Sequence, residues 1–538
     1  MEQRSSGEAV VLLAVLGAGV FLAGMELMVT AVALPAIVGD VAGWTRLREA
    51  SWIINGYLLV YVVAMPLAGR LGDLWGNRRP FLAAIAIFTV GSVLAGASQS
   101  LEQLIAARLV QAVGGGALVP LATSAATHLF EGHARPRALG VVGALTFLGM
   151  AAGPFLGAAI LDLVHPDAAL ARLGVPAGSA IDSFFTPAWR WIFYVNVPVG
   201  IIALVVAWAA SSGWDTPRRR GRVDLIGGAL VAIALVGTLG ALTLLGSQQA
   251  AAGGGLDPTL VAGALAVAAL VAIPLAVVMG LRVRDPFLDP RLFRRPEFAA
   301  AALVSLLTGY GLATAIVGAA VFVDRVLYGG PDVQRVALGS LAAATALGAL
   351  VSGWALRALG LRLVTLVGLA ASVVGLAVMA GWTPDTTIPA AAGTLALFGF
   401  GFGLTVTPRS TAAVNAVEAS AYGAAASVVT VARMAGMAVG LAILTAYGST
   451  TIDRLYDQVY ANADAYKQFI PVSLRDRPLH DGLVVAALES WAAREAAQIM
   501  VGVCLLAAVV TALAVVPALL LRARGRMLAT AGAPVPGP

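Results

Sequence analysis

Glu26, Arg108 and Arg433 each stand inside a separate apolar stretch: Glu26 in Gly24-Met25-Glu26-Leu27-Met28-Val29, Arg108 near the start of the fourth stretch, Arg433 near the middle of the thirteenth. A charge at the centre of a bilayer costs about 2.5 to 3.5 kcal/mol even on the lenient insertion scale, so each one retained needs a reason. A carboxyl kept at that cost suits proton carriage, because hydrocarbon tolerates its neutral form. The alternative for Glu26 is a fixed partner to an arginine or a backbone group. Arg433 is suited to drive the proton off Glu26 whenever the two approach; its alternatives are a fixed counter-ion or a ligand for a lipid carbonyl. Arg108 lies close enough to its helix start to reach the membrane interface.

The elements that must position these charges are membrane-spanning helices. The chain of 538 residues is 59% hydrophobic and only 12% charged, where soluble domains carry about 25% charge. Apolar runs near 20 residues, the length that crosses about 30 Å of hydrocarbon, begin at fourteen places, near Ala9, Ala50, Pro80, Gln103, Ala138, Ile192, Asp224, Thr259, Phe298, Val336, Arg362, Ile388, Ala421 and Ala497. The first run is too long for a cleaved signal and has Glu2 and Glu8 beside Arg4, so it reads as an uncleaved helix. With the N-terminus in the cytoplasm, twenty-one arginines, Arg409 among them, fall in inner segments, against six in the outer connections before the last. That asymmetry satisfies the positive-inside rule and places both termini in the cytoplasm of a plasma-membrane protein. The net charge of +6 therefore reads as orientation, with no nucleic-acid partner implied.

Residues 1–211 form one six-helix half, 212–297 supply basic linkers and two extra helices, and 298–538 form a second half. Six tryptophans, Trp44, Trp52, Trp189, Trp191, Trp382 and Trp491, read as anchors at the outer boundary, and Trp75, Trp208, Trp214 and Trp354 at the inner one. Lys467 is the only lysine and follows no glycine-rich loop, which excludes a phosphate-binding loop. Cys504 is the sole cysteine, and His128, His133, His165 and His480 are scattered, so no metal site, cofactor or enzymatic centre is expected.

A second charged group lies between the second and third runs, in Gly69-Arg70-Leu71-Gly72-Asp73-Leu74-Trp75-Gly76-Asn77-Arg78-Arg79-Pro80-Phe81. Its glycines permit close backbone approach, and Asp73 can meet a helix N-terminus or an arginine. We read Asp73, with Arg70, Arg78 and Arg79, as a latch between helices. Gly353-Trp354-Ala355-Leu356-Arg357-Ala358-Leu359-Gly360 repeats the glycines at the corresponding point of the second half, with Arg357 in the place of Asp73.

The loop from Gly69 to Phe81 resembles the signature loop of the major facilitator superfamily. Arg108, Gln111, Gly114, Gly115 and Gly116 resemble the fourth-helix motif of its 14-helix drug:proton antiporter branch. Gly149, Gly153, Pro154 and Gly157 resemble the fifth-helix motif of exporters, and Trp189 to Pro198 the start of the branch's sixth helix. The resemblance implies an all-α membrane protein of two rocking halves, driven by a proton gradient, with Arg108 in the proton pathway beside Glu26 and Arg433. Tyr57 to Arg70 and Ala432 to Gly440 are closer to the triacylglyceride and lipid exporters of mycobacteria. Those exporters carry an acidic residue near the start of the fifth-helix motif, where this chain has Thr146 and Phe147.

Alternating-access transporters hold substrate at the midplane between repeats. Candidate lining residues are Met25, Asn55, Tyr57, Met150, Tyr310, Thr405 and Met437. So few polar groups suit a large apolar or amphipathic substrate. The last outer connection, about 448–497, has apolar residues at helical spacing (Ile452, Leu455, Tyr456, Val459, Tyr460, then Leu483, Val484, Ala487, Leu488, Trp491), with Pro471, Pro478 and Gly482 between them. It reads as a helical hairpin outside the membrane, which the resemblance connects with passing lipid to a periplasmic lipoprotein. The expectation is a monomeric, proton-coupled exporter among membrane lipids, leaning to lipid. The alternatives are a multidrug/proton antiporter or a non-transporting sensor or scaffold.

Overall fold

The computed structural model describes residues 6–42, 46–210, 216, 224–246, 257–459 and 464–521. Arg4, Trp44, the four arginines of 218–222, Trp214, Tyr460, and Arg522, Arg524 and Arg526 lie outside the described residues. The described chain is helical and contains no strand. Thirteen of its helices are long and apolar enough to cross a membrane. The longest, Pro331–Met379, contains one non-helical residue, Gly360 (φ 77°, ψ 171°), and so crosses twice, which makes fourteen crossings.

We number them α1 (Ser6–Ile37), α2 (Trp52–Trp75), α3 (Arg78–Ala97), α4 (Leu101–Leu129), α5 (Ala134–Leu163), α6 (Asn196–Ala209), α7 (Leu225–Gly246), α8 (Pro258–Arg282), α9 (Pro296–Ala313), α10 (331–359), α11 (361–379), α12 (Ile388–Asn415), α13 (Tyr422–Val459) and α14 (Gly482–Leu513). A short π-helical stretch, Thr314–Gly318, carries α9 on to Arg325. Boundaries follow local chemistry. Ser100 accepts from the Gln103 amide at the start of α4, and Asp257 from Thr259 ahead of Pro258 at the start of α8. At the end of α2, Gly76 adopts φ 79° and ψ 152°, nearly the conformation of Gly360 between α10 and α11. A side chain at either position would be strained.

Within each half the helices touch through glycines. In the first, Cβ atoms built on Gly24 and Gly149 would lie 2.1 Å from the Thr146 carbonyl and 2.2 Å from the Phe21 carbonyl, so α1 and α5 are in backbone contact. The second half repeats this at α9 and α13, where Gly309 meets the Arg433 backbone and Gly436 that of Leu306. With no hydrophobic force to join helices inside lipid, such close van der Waals packing is the main attraction. The halves meet along α5 with α10, and α2 with α13; α7 packs on α8, α13 and α2, and α8 is the least buried crossing.

At about 1.5 Å per residue the 38-residue α13 is roughly 57 Å long, nearly twice the hydrocarbon thickness. Its far end and the start of α14 form a hairpin with its own apolar cluster: Val459, Tyr466, Ile470 and Val484 are buried, with Phe469, Leu488 and Trp491 around them. Asp481 caps α14 at the Leu483 amide (2.9 Å), and the Tyr466 hydroxyl donates to the Arg477 carbonyl (2.9 Å). Among the expected boundary tryptophans, Trp189 and Trp382 are instead buried, whereas Trp52, Trp75, Trp208 and Trp354 are exposed. Trp189 turns inward because its indole donates to Asp40 (3.1 Å).

Candidate functional site

Glu26 is fully buried on α1 and forms an ion pair with Arg108 of α4. Both its oxygens are engaged. Oε1 also accepts from Thr30 one turn along (3.2 Å), and Oε2 accepts from the Asn196 amide of α6 (2.7 Å). Arg108 donates further to Gln111 (2.6 Å) and the Ile53 carbonyl (3.4 Å), and its guanidinium lies 3.9 Å from the centroid of the Tyr57 ring. Gln111 in turn donates to Ser92 on α3 (2.8 Å). Five helices of the first half thus converge on one charge pair that solvent does not reach. Such a pair persists because several hydrogen bonds offset desolvation, and removing one member typically costs about 3 to 5 kcal/mol.

The structure does not bring Glu26 to Arg433. Arg433, on α13, places its guanidinium 5.3 Å from the Phe147 ring of α5 across the interface between halves, and its Nε is buried without a partner. A fourth charge belongs with these three. Arg409 is buried on α12 rather than lying in an inner loop, so the inner count falls by one. Its Nε donates to the Thr405 carbonyl (3.0 Å), its Nη1 to the Thr308 hydroxyl, and its guanidinium lies 5.0 Å from the Phe402 ring. Thr407-Pro408-Arg409-Ser410 looks like a turn in sequence; the apolar run resuming at Ala412 and Ala413 is the signal that the helix continues.

Of the candidate lining residues, Met150 and Tyr310 share one apolar cluster with Phe147, and Met437, Leu27, Met28 and Val406 pack against it. Helices of both halves contribute to this cluster. Met25 belongs to a separate group with Leu22 and Phe88; Tyr57 stacks on Tyr61 (5.7 Å between centroids), and Asn55 is half-buried two residues after Arg108's contact Ile53. Thr405 is buried facing Gly368 on α11, away from the interface.

At the end of the bundle carrying the basic loops, Asp73 accepts from the amides of Gly423 (2.7 Å) and Ala424 (2.9 Å), the first turn of α13. A carboxylate on a helix N-terminus satisfies otherwise unpaired donors and faces the positive end of the dipole. Gly69 permits this, since a Cβ there would lie 2.3 Å from the Gly423 carbonyl. Arg70 is buried beside Asp73 with its guanidinium 3.5 Å from the Asp285 carbonyl, Arg78 is half-buried and Arg79 exposed. In the second half Gly353 approaches the Pro136 carbonyl at the start of α5 in the same way, but Arg357 is exposed.

Fourteen crossings in two glycine-packed halves, with a sealed charge pair and an apolar cluster between the halves, make the architecture of a multi-pass membrane transporter. The chain belongs to the Major Facilitator Superfamily, whose sequence profile matches residues 16–441. It is similar to a triacylglyceride transporter of Mycolicibacterium hassiacum, 32% identical over 80% of this chain and 78% of the relative. It is also similar to the triacylglyceride transporter of Mycobacterium tuberculosis, 31% identical over 82% of both chains. Among solved structures the fold is shared with a bacterial homologue of the human lysosomal transporter Spinster in an inward-facing conformation (TM-score 0.59, 17% identity, 96% of this chain and 98% of the other). It is shared also with the proton:xylose symporter XylE (TM-score 0.55, 11% identity, 94% and 95%).

Proposed function

We propose that the chain is a secondary active exporter that moves hydrophobic or amphipathic lipid by alternating access, driven by a proton gradient across a bacterial plasma membrane, with the basic end cytoplasmic. The Glu26–Arg108 pair carries the coupling assignment: the only buried carboxylate of the described crossings besides the latch Asp73 is held by an arginine and an amide that its protonation would release. A proton taken by Glu26 leaves Arg108 to Gln111 and the Ile53 carbonyl, and loosens α1 from α4 and α6. Its loss restores the pair. Lipid as the substrate is supported by the naming of the relatives and by the apolar cluster between the halves.

The test is a proteoliposome carrying a fluorescent triacylglyceride and an imposed pH gradient. The gradient is expected to accelerate flux in the wild type, and Glu26→Gln to abolish that acceleration while leaving downhill exchange. Equal flux with and without a gradient in the wild type would refute proton coupling. The hairpin favours lipid over assorted drugs as substrate, because it carries an open apolar groove of about 410 Å³ lined by Leu455, Val459, Leu488, Trp491 and Ile499. Deleting residues 452–492 is expected to stop lipid delivery, including any handover to a periplasmic lipoprotein. A multidrug antiporter would keep drug efflux in that variant.

A further inference from the structure

Two cations of the second half lack the counter-charge that Arg108 has in the first. Among the described residues neither Arg409 nor Arg433 forms an ion pair, and no nitrogen of Arg433 has a described hydrogen-bond partner. Glu26 does not serve them: its ion pair is with Arg108. The two arginines are neighbours across α9: Thr308 accepts from Arg409, and the next residue, Gly309, abuts the Arg433 backbone. They are joined through two rings, Arg433 over Phe147 and Arg409 over Phe402, with Phe147 and Phe402 edge to face at 5.6 Å. Ring faces attract cations, but more weakly than the burial of an ion is opposed by its lost hydration. The site is therefore under-neutralised. Arg433 keeps some accessible surface beside the cluster of Phe147, Met150 and Tyr310, and the buried Tyr310 hydroxyl also has no partner.

We propose that Arg433, backed by the charge of Arg409, binds the carboxylate or phosphate of an acidic amphiphile whose hydrocarbon lies against Phe147, Met150 and Met437. The inference rests on the transport reading above and adds lipid with an anionic head to the neutral lipid that the flux assay uses. A charge-assisted hydrogen bond is strong where water is excluded, and an anion there would satisfy the unpartnered arginine Nε.

The test is equilibrium binding to the purified full chain in a neutral sugar detergent, without any gradient, so that it stands apart from the flux assay of coupling. Oleate, oleoyl lysophosphatidate, monoolein and inorganic phosphate are the probes. The two acidic lipids are expected to bind at least about tenfold more tightly than monoolein, the size of one charge-assisted hydrogen bond. Arg433→Gln and Phe147→Glu, which respectively remove the charge and supply an internal carboxylate, are expected to erase that preference while monoolein binding persists. Arg433→Lys should retain part of it, which separates charge recognition from misfolding. Equal binding of oleate and monoolein by the wild type overturns the proposal, as does a preference that survives in Arg409→Gln/Arg433→Gln. Inorganic phosphate binding as tightly as the acidic lipids would assign the site to a free anion and overturn the lipid assignment.

Discussion

At the scale of single residues, the structure separates charges that sequence alone could only group by type. Glu26 and Arg108 are far apart in the chain, and their pairing depends on which face of α4 meets α1, which periodicity alone leaves open. Glu26→Ala is expected to lower stability by about 3 to 5 kcal/mol, because it strands Arg108 in the interior, whereas the apolar pair Glu26→Leu/Arg108→Leu should recover most of the loss. Thermal unfolding in one detergent compares the two. Outside the membrane, the Asp481 carboxyl is held below its ordinary value of 3.8, first by the Leu483 amide and further by Arg477. A depressed carboxylate value means that its contribution is complete above the ordinary value and is lost as pH falls through the lower one. Amide exchange at Leu483 should accordingly stay protected, relative to Asp481→Ala, until acid protonates the cap.

At the scale of elements, the helix crossings are set by backbone contact. The small residues of Gly149 and Gly153 marked α5 as a close-packing helix in advance, and the structure puts them against the backbone of α1. Gly436 and Gly440 of α13 repeat that four-residue spacing, and the structure puts them against the backbone of α9; which distant helix each glycine pair would meet was not legible in the spacing. A Cβ on Gly436 would fall 1.8 Å from the Leu306 carbonyl, and no rotamer can relieve a clash with backbone. Gly436→Ala is expected to cost about 1 to 3 kcal/mol. Gly448→Ala on the same helix, with nothing within 4 Å of the added carbon, should be neutral or gain up to about 1 kcal/mol in helix propensity. Melting temperatures of the two variants decide this. Arg409 shows the opposite limit of legibility: a proline, an arginine and two hydroxyl residues in sequence imitate a loop, but in the fold Thr308 and the Thr405 carbonyl satisfy the arginine and the helix runs on.

At the scale of the whole molecule, the fourteen crossings and the repeat of the glycine loop were legible because hydrophobic length and a duplicated motif are properties of the chain itself. The distribution of charge over the two repeats was not, because it depends on how the halves meet. Gly76 and Gly360 preserve one unusual backbone turn in both repeats, yet only the first repeat has a carboxylate beneath it, fastened to α13. The second leans glycine against backbone at α5, with Arg357 outside. The basic end of the bundle is therefore a door with one bolt. The α2–α13 seam is expected to unlock while the α5–α10 seam serves as the hinge. Spin labels across the two seams should report it: on Asp73→Ala, distances across α2–α13 are expected to broaden while those across α5–α10 stay narrow, and equal broadening at both would exclude the asymmetry.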